Sequence, residues 1–116
     1  DHGLCNIPLE NRHNLSYENS IKIYGDQRSV YINGTESEVQ KVFENIPGEL
    51  FRRSDLKYLL KEPSNSYIET LYPDYCFVLE QNHIIYPKHL QAELKGYHGG
   101  LTEEELKIPI IEIHNF

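Results

Sequence analysis

Gly96-Tyr97-His98-Gly99-Gly100-Leu101-Thr102-Glu103-Glu104-Glu105-Leu106-Lys107-Ile108-Pro109-Ile110-Ile111-Glu112-Ile113 is the stretch from which the rest of the chain can be read. His98 is followed by two glycines, so the backbone can turn sharply there and another group can come close. Thr102 and Glu105 have the spacing of a capping box, in which the hydroxyl satisfies one orphan helix amide and the carboxylate reaches back to another. Ile108, Ile110, Ile111 and Ile113 then form an apolar, β-branched run of strand length. Its density predicts a strand covered on both faces or nearly so. The stretch therefore reads as a histidine held at the edge of a sheet, ahead of a helical turn that leads into a buried strand.

The other end of the chain is Asp1-His2-Gly3. A carboxylate beside an imidazole is a donor pair suited to zinc or manganese. Taken together, the Asp-His-Gly tripeptide and the His-Gly-Gly loop with its capped turn into Ile-Pro-Ile-Ile resemble the C-terminal part of the alkaline phosphatase superfamily. The resemblance is to its bacterial type I phosphodiesterase/nucleotide pyrophosphatase-like members, and it rests on the two ends of the chain. It implies a metal-dependent hydrolase of phosphate esters, a phosphodiesterase or phosphatase. Two divalent ions, zinc or manganese, would clamp the attacking and leaving oxygens. By the same resemblance Asp1 and His2 would serve the ion that holds the nucleophile, and His98 the other. Gly3, Gly99, Gly100, Thr102 and Glu105 would support the loops from behind.

No catalytic residue is expected within this chain. The chain contains no methionine, which reads as processing or as excision from something longer. On the family reading the cut falls just before Asp1, and the hydroxyl nucleophile and remaining carboxylate ligands lie upstream. The fragment alone is then expected to bind metal weakly or not at all, and to be inactive. Its partners would be the upstream part of the same polypeptide and a phosphate-ester substrate.

Composition narrows the alternatives. With 116 residues, 39% hydrophobic and 25% charged, the chain is of single-domain size and globular in character. A net charge of −7 argues against a nucleic-acid groove, which needs a basic patch. No apolar run approaches the length of about 20 residues that spans a bilayer. Cys5 and Cys76 have no disulfide spacing pattern and read as free thiols in a reducing, cytoplasmic setting. The sequence leaves the oligomeric state open.

Along the chain, residues 3–20 are polar and punctuated and read as an extended loop, with His13 a solvated loop histidine. Ile21–Tyr24 and Ser29–Ile32 alternate with period two about Gly25-Asp26-Gln27, the pattern of a hairpin. Thr35 and Glu38 form a second capping box, and Val39, Val42, Phe43 and Ile46 follow an amphipathic helical spacing that Pro47-Gly48 ends. Arg52-Arg53 reads as solvated or acid-paired rather than as an anion site. Helices are expected over 54–61 and 67–71, and a second hairpin over 75–86, limited by Pro87. His83 and His89 have no ligand-spaced partner and read as non-functional. The nine tyrosines, with no tryptophan, read as filling a small core from its rim.

The expected fold is α+β: a small mixed sheet from the 21–32 hairpin, the 75–86 hairpin and the 108–113 strand, with helices at 35–46 and 54–61 on one face. By resemblance this would be the C-terminal part of an alkaline phosphatase-like α/β fold. It would form one domain, with residues 1–20 carrying Asp-His-Gly, 21–95 a cap-like insertion, and 96–116 the His-Gly-Gly loop and final strand. The alternative is a self-contained acidic interaction domain without catalysis. The two differ on one geometric point: the hydrolase needs residues 1–2 to reach His98.

Overall fold

The computed structural model describes residues 3–18, 20–59, 64–87 and 94–115. Its centre is an antiparallel sheet. Strand β3 (Lys22–Gly25) turns through Gly25, at φ 108°, into β4 (Ser29–Asn33), with the Asp26 amide donating to the Ser29 carbonyl at 3.0 Å. Helix α1 (Glu36–Phe43) follows, opened by Thr35, whose hydroxyl donates to the Glu38 carboxylate at 2.8 Å. Strand β5 (Gly48–Arg52) comes next and β6 (Tyr75–Leu79) last, giving the order β3-β4-β6-β5.

Strand β6 lies between β4 and β5, so residues 76–79 are buried on alternating faces. On one face Phe77 and Leu79 join Val30, Ile32 and the α1 residues Val39 and Phe43. The Phe43 and Phe77 ring centroids are 4.6 Å apart. On the other face Cys76 and Val78 pack with Leu56, which opens the short helix α2 (Leu56–Leu59). The expectation that both helices share one face is thus corrected. A central strand with two apolar faces needs cover on each.

The expected 75–86 hairpin does not form. Both edges of β6 are taken by β4 and β5, which leaves none for the returning strand. Strand β7 (Ile84–Pro87) pairs in parallel with β2 (Arg12–Leu15) instead, inside the stretch that reads as loop. A third pairing joins β1 (Cys5–Asn6) antiparallel to β8 (Gly96–Tyr97), over a small core of Cys5, Ile7, Ile84 and Tyr97. Helix α3 (Ser66–Thr70) is capped by Asn65, whose side chain accepts from the Ile68 amide at 2.9 Å. Residues 60–61 of the expected 54–61 helix lie outside the described residues, as does His89.

The last helix, α4 (Glu103–Leu106), carries the Thr102–Glu105 capping box. Beyond it the buried strand expected at 108–113 is overturned. Residues 107–115 have no regular structure, and Ile108, Ile110, Ile111 and Ile113 are 45%, 79%, 85% and 88% exposed. An apolar, β-branched run records a preference for burial, and no strand among the described residues pairs with this one. What stands is a small mixed α+β fold with helices packed near a sheet. Among the described residues no helix is long and apolar enough to cross a membrane.

Candidate functional site

Residues 3–7 run alongside residues 95–105. Cys5 pairs with Tyr97 and Asn6 with Gly96. The Ile7 amide donates to the Lys95 carbonyl at 2.9 Å, and the Gly3 amide to the Glu105 carbonyl at 3.1 Å. The approach at Gly3 tolerates no side chain, because a Cβ there would stand 1.6 Å from the Glu104 carbonyl oxygen. Gly3 is therefore seated on the turn that follows His-Gly-Gly.

His98 is half-buried, between Tyr97 in β8 and Gly99. Gly99 has φ 101°, the left-handed region that glycine enters without strain, and a Cβ on it would come within 3.2 Å of the Asp26 carboxylate. Gly100 faces a tighter restriction: a Cβ there would lie 2.5 Å from Arg28 Nη2 and 2.6 Å from Glu105 Oε2. Both glycines of the loop are thus explained by what presses against them.

Glu105 holds this arrangement together. Its carboxylate is buried and accepts from Arg28 Nε at 2.7 Å and Nη2 at 3.0 Å, from the Gly100 amide at 3.0 Å, and from the Thr102 amide and hydroxyl at 3.2 and 2.7 Å. Arg28 is fully buried, and its Nη1 donates to the carbonyls of Glu80 and His83 at 2.7 and 2.6 Å. One ion pair therefore joins the β3–β4 turn, the 80–83 turn and the His98 loop. Burial by itself would raise the Glu105 carboxyl, but the hydrogen bonds from Arg28, Thr102 and Gly100 outweigh it and hold the group at about 2. The Cys5 thiol lies 3.7 Å from Glu105 Oε1, and burial pushes its pKa up, which keeps it protonated and a donor.

Of the three expected metal ligands, Asp1 and His2 lie outside the described residues, and His98 stands in the loop just given. Among the described residues, no group of three or more His, Cys, Asp or Glu side chains is arranged to hold a metal ion. Arg52 is ion-paired with exposed Glu36, and Arg53 donates to the Tyr72 carbonyl. Cys5 and Cys76 are both free and buried.

Two features lay beyond the sequence reading. The first is Arg28, an unremarked residue in a turn, whose partner is 77 positions away. The second is a pair of histidines. Parallel pairing of β2 with β7 brings His13 Nε2 to 2.9 Å from His83 Nδ1, with the rings inclined by 14° and their centroids 5.2 Å apart. Nitrogens this much closer than the centroids mean the rings meet edge to edge, one N–H donating to the other ring's lone pair. His13 is not a solvated loop residue, and neither histidine stands alone. No local spacing signals either contact, because each depends on strands distant in sequence.

No protein-family model, curated protein or solved structure matches the chain.

Proposed function

We propose that this chain is part of a metal-dependent phosphate-ester hydrolase, and that its Asp-His-Gly and His-Gly-Gly motifs contribute to one two-metal site. One observation carries the reading: the Gly3 amide bonds to the carbonyl of Glu105, whose carboxylate anchors the His98–Gly100 loop. Gly3, the residue after the Asp1-His2 donor pair in the sequence, is thus held on the turn that anchors this loop. The donor chemistry of that pair, with His98, suits zinc or manganese. The ions, when bound, would polarise the phosphoryl oxygens and activate the nucleophile.

The chain's own contribution would be positional. Asp1, His2 and His98 would supply donors. Gly99 and Gly100 would let the loop lie close against Asp26 and Arg28. Glu105, ionised and buried, would hold the loop amides in place, as groups behind metal ligands do. The nucleophile and further carboxylate ligands would come from an upstream segment. The exposed isoleucines of the tail support such a segment, since an apolar run of that kind is ordinarily covered.

Calorimetric titration of zinc and manganese into the protein carrying its upstream sequence tests the reading, alongside release of p-nitrophenol from bis-p-nitrophenyl phosphate. Two ions per chain and metal-dependent turnover are expected, with His98→Ala losing one ion and at least about 100-fold in activity. Absence of both metal binding and turnover would overturn it. The same exposed tail favours a second reading, an acidic interaction domain. An unrelated domain upstream, without a Ser or Thr nucleophile and aspartate ligands, would decide for that.

A further inference from the structure

The contact between His13 and His83 has no part in the reaction proposed above. It joins two imidazoles that come from segments 70 positions apart. His13 lies in β2, where it is paired with Ile85 of β7. His83 stands just before β7, with its main chain bonded on both sides: its amide donates to the Glu80 carbonyl at 3.2 Å, and its carbonyl accepts from buried Arg28 at 2.6 Å. Two positions along each strand, Leu15 and Ile85 belong to the main hydrophobic core. The two rings therefore sit at the rim of that core, half-buried, on backbone that is already fixed.

Nε2 of His13 and Nδ1 of His83 are 2.9 Å apart. That separation selects among metal geometries. Two imidazoles at a right angle on metal–nitrogen bonds of about 2.0–2.1 Å stand about 2.9 Å apart, whereas at the tetrahedral angle they stand about 3.3 Å apart. Right-angled nitrogen donors suit copper(II) and nickel(II), and copper(II) is the tighter binder of the two. To meet on one ion the rings have to turn by about 45° each, about a torsion that is broad for histidine. The proton now shared between them leaves the contact, and the other nitrogen of the same ring takes one up, so both imidazoles stay neutral. Burial and the neighbouring ring hold His13 below its usual pKa, which keeps that lone pair available at neutral pH.

We propose that His13 and His83 form a two-imidazole site for a divalent transition-metal ion with right-angled ligands, copper(II) ahead of nickel(II), with water in the remaining positions. The site uses none of Asp1, His2 and His98, and it does not rest on the hydrolase reading. An ion there ties β2 to the start of β7, the parallel pairing that joins residues 12–15 to residues 84–87. It therefore binds the folded chain in preference to the unfolded one, where the two histidines are far apart.

The test titrates the 116-residue chain with copper(II) or nickel(II) alone, while amide signals are followed by ¹H–¹⁵N NMR. Copper(II) broadens the signals of residues near it, so the amides of His13, Asn14, His83 and Ile84 are expected to fade at less than one ion per chain. Calorimetry should give a dissociation constant of about 10 µM for copper(II) at this site and about tenfold weaker binding of nickel(II). His13→Gln and His83→Gln should each weaken copper(II) at least about tenfold, and the double variant no further, because either loss breaks the chelate. The spectra of the variants report whether the fold is kept. His2→Ala removes any binding at the chain terminus and should leave the broadening at residues 13 and 83 unchanged. Broadening confined to other residues would overturn the proposal, as would full affinity in either glutamine variant, or no binding. If copper(II) is held as described and the longer protein hydrolyses no phosphate ester, the histidine site stands and the hydrolase reading falls.

Discussion

Arg28 and Glu105 meet at two points inside the protein, Nε to Oε1 at 2.7 Å and Nη2 to Oε2 at 3.0 Å, and both side chains are essentially inaccessible to water. Burying two charges is costly, and here every cost is offset locally: the carboxylate has Gly100 and Thr102 as further donors, and the guanidinium has two backbone carbonyls as acceptors. Removing either partner leaves the other charged, buried and unmatched. Glu105→Gln should therefore destabilise the chain by about 3–5 kcal/mol in urea denaturation. Glu103→Gln, two residues before Glu105, loses an exposed ion pair with Lys107 and should change stability by less than about 1 kcal/mol. A double replacement, Arg28→Met with Glu105→Leu, should be less damaging than Glu105→Gln alone. Equal costs at positions 103 and 105 would count against the buried pair as the clamp of the loop.

The same carboxylate fixes an acid limit. Its folded pKa of about 2 lies below the ordinary carboxylate value of about 4.3. A depressed folded value means stability that is complete above the unfolded pKa and lost as pH falls through the folded one. The wild-type chain should thus lose stability steadily from about pH 5 down to about pH 2. The Glu105→Gln variant should show a flatter dependence over that window, read from denaturation midpoints at successive pH values.

Gly3 should tolerate no side chain. A Cβ at that position would stand 1.6 Å from the Glu104 carbonyl oxygen, whereas one on Gly96 would lie 3.6 Å from the nearest atom, an ordinary contact. Gly3→Ala is expected to release the first residues from the 102–106 turn, at a cost of about 1–3 kcal/mol. Hydrogen exchange at Ile7 and Tyr97 would then quicken. Gly96→Ala should leave both amides protected, and matching behaviour of the two variants would contradict the seating of Gly3 on the turn.

The paired histidines give a separate signature. Burial first, and the charge of His83 second, hold the His13 pKa below its usual value. Neutral His13 thus stabilises the fold above about pH 6.5, and that contribution is lost as pH falls through the lower folded value. Titration of its ring protons by NMR should give a midpoint below 6.5, rising toward 6.5 in His83→Ala. A His13 midpoint above 6.5 in the wild type would be incompatible with the pair as described.

The isoleucine tail should be dispensable to this chain. Ile111 is 85% exposed and Ile84 0%. Ile111→Asp is expected to alter stability by no more than about 0.5 kcal/mol, against about 2–5 kcal/mol for Ile84→Ala. In the protein with its upstream sequence, the proposed function makes Ile111→Asp destabilising there as well. Thermal denaturation of both forms separates a tail that is covered from one that is not.

Residue order by itself determined what depends on near neighbours. The 21–32 hairpin follows from alternation and from Gly25-Asp26 at its turn. Helix α1 follows from a capping box and an apolar stripe, and α4 from the Thr102–Glu105 spacing, because these are contacts of one turn or less. The pairing of β2 with β7, the placing of β6 between β4 and β5, the histidine pair and the Arg28–Glu105 bond were decided by tertiary structure. Each joins residues tens of positions apart, and strand periodicity says which face is apolar but not which edge it will find. The tail shows the limit most plainly: four isoleucines establish that residues 108–113 favour burial, and only the arrangement of the other strands decided that none among the described residues covers them.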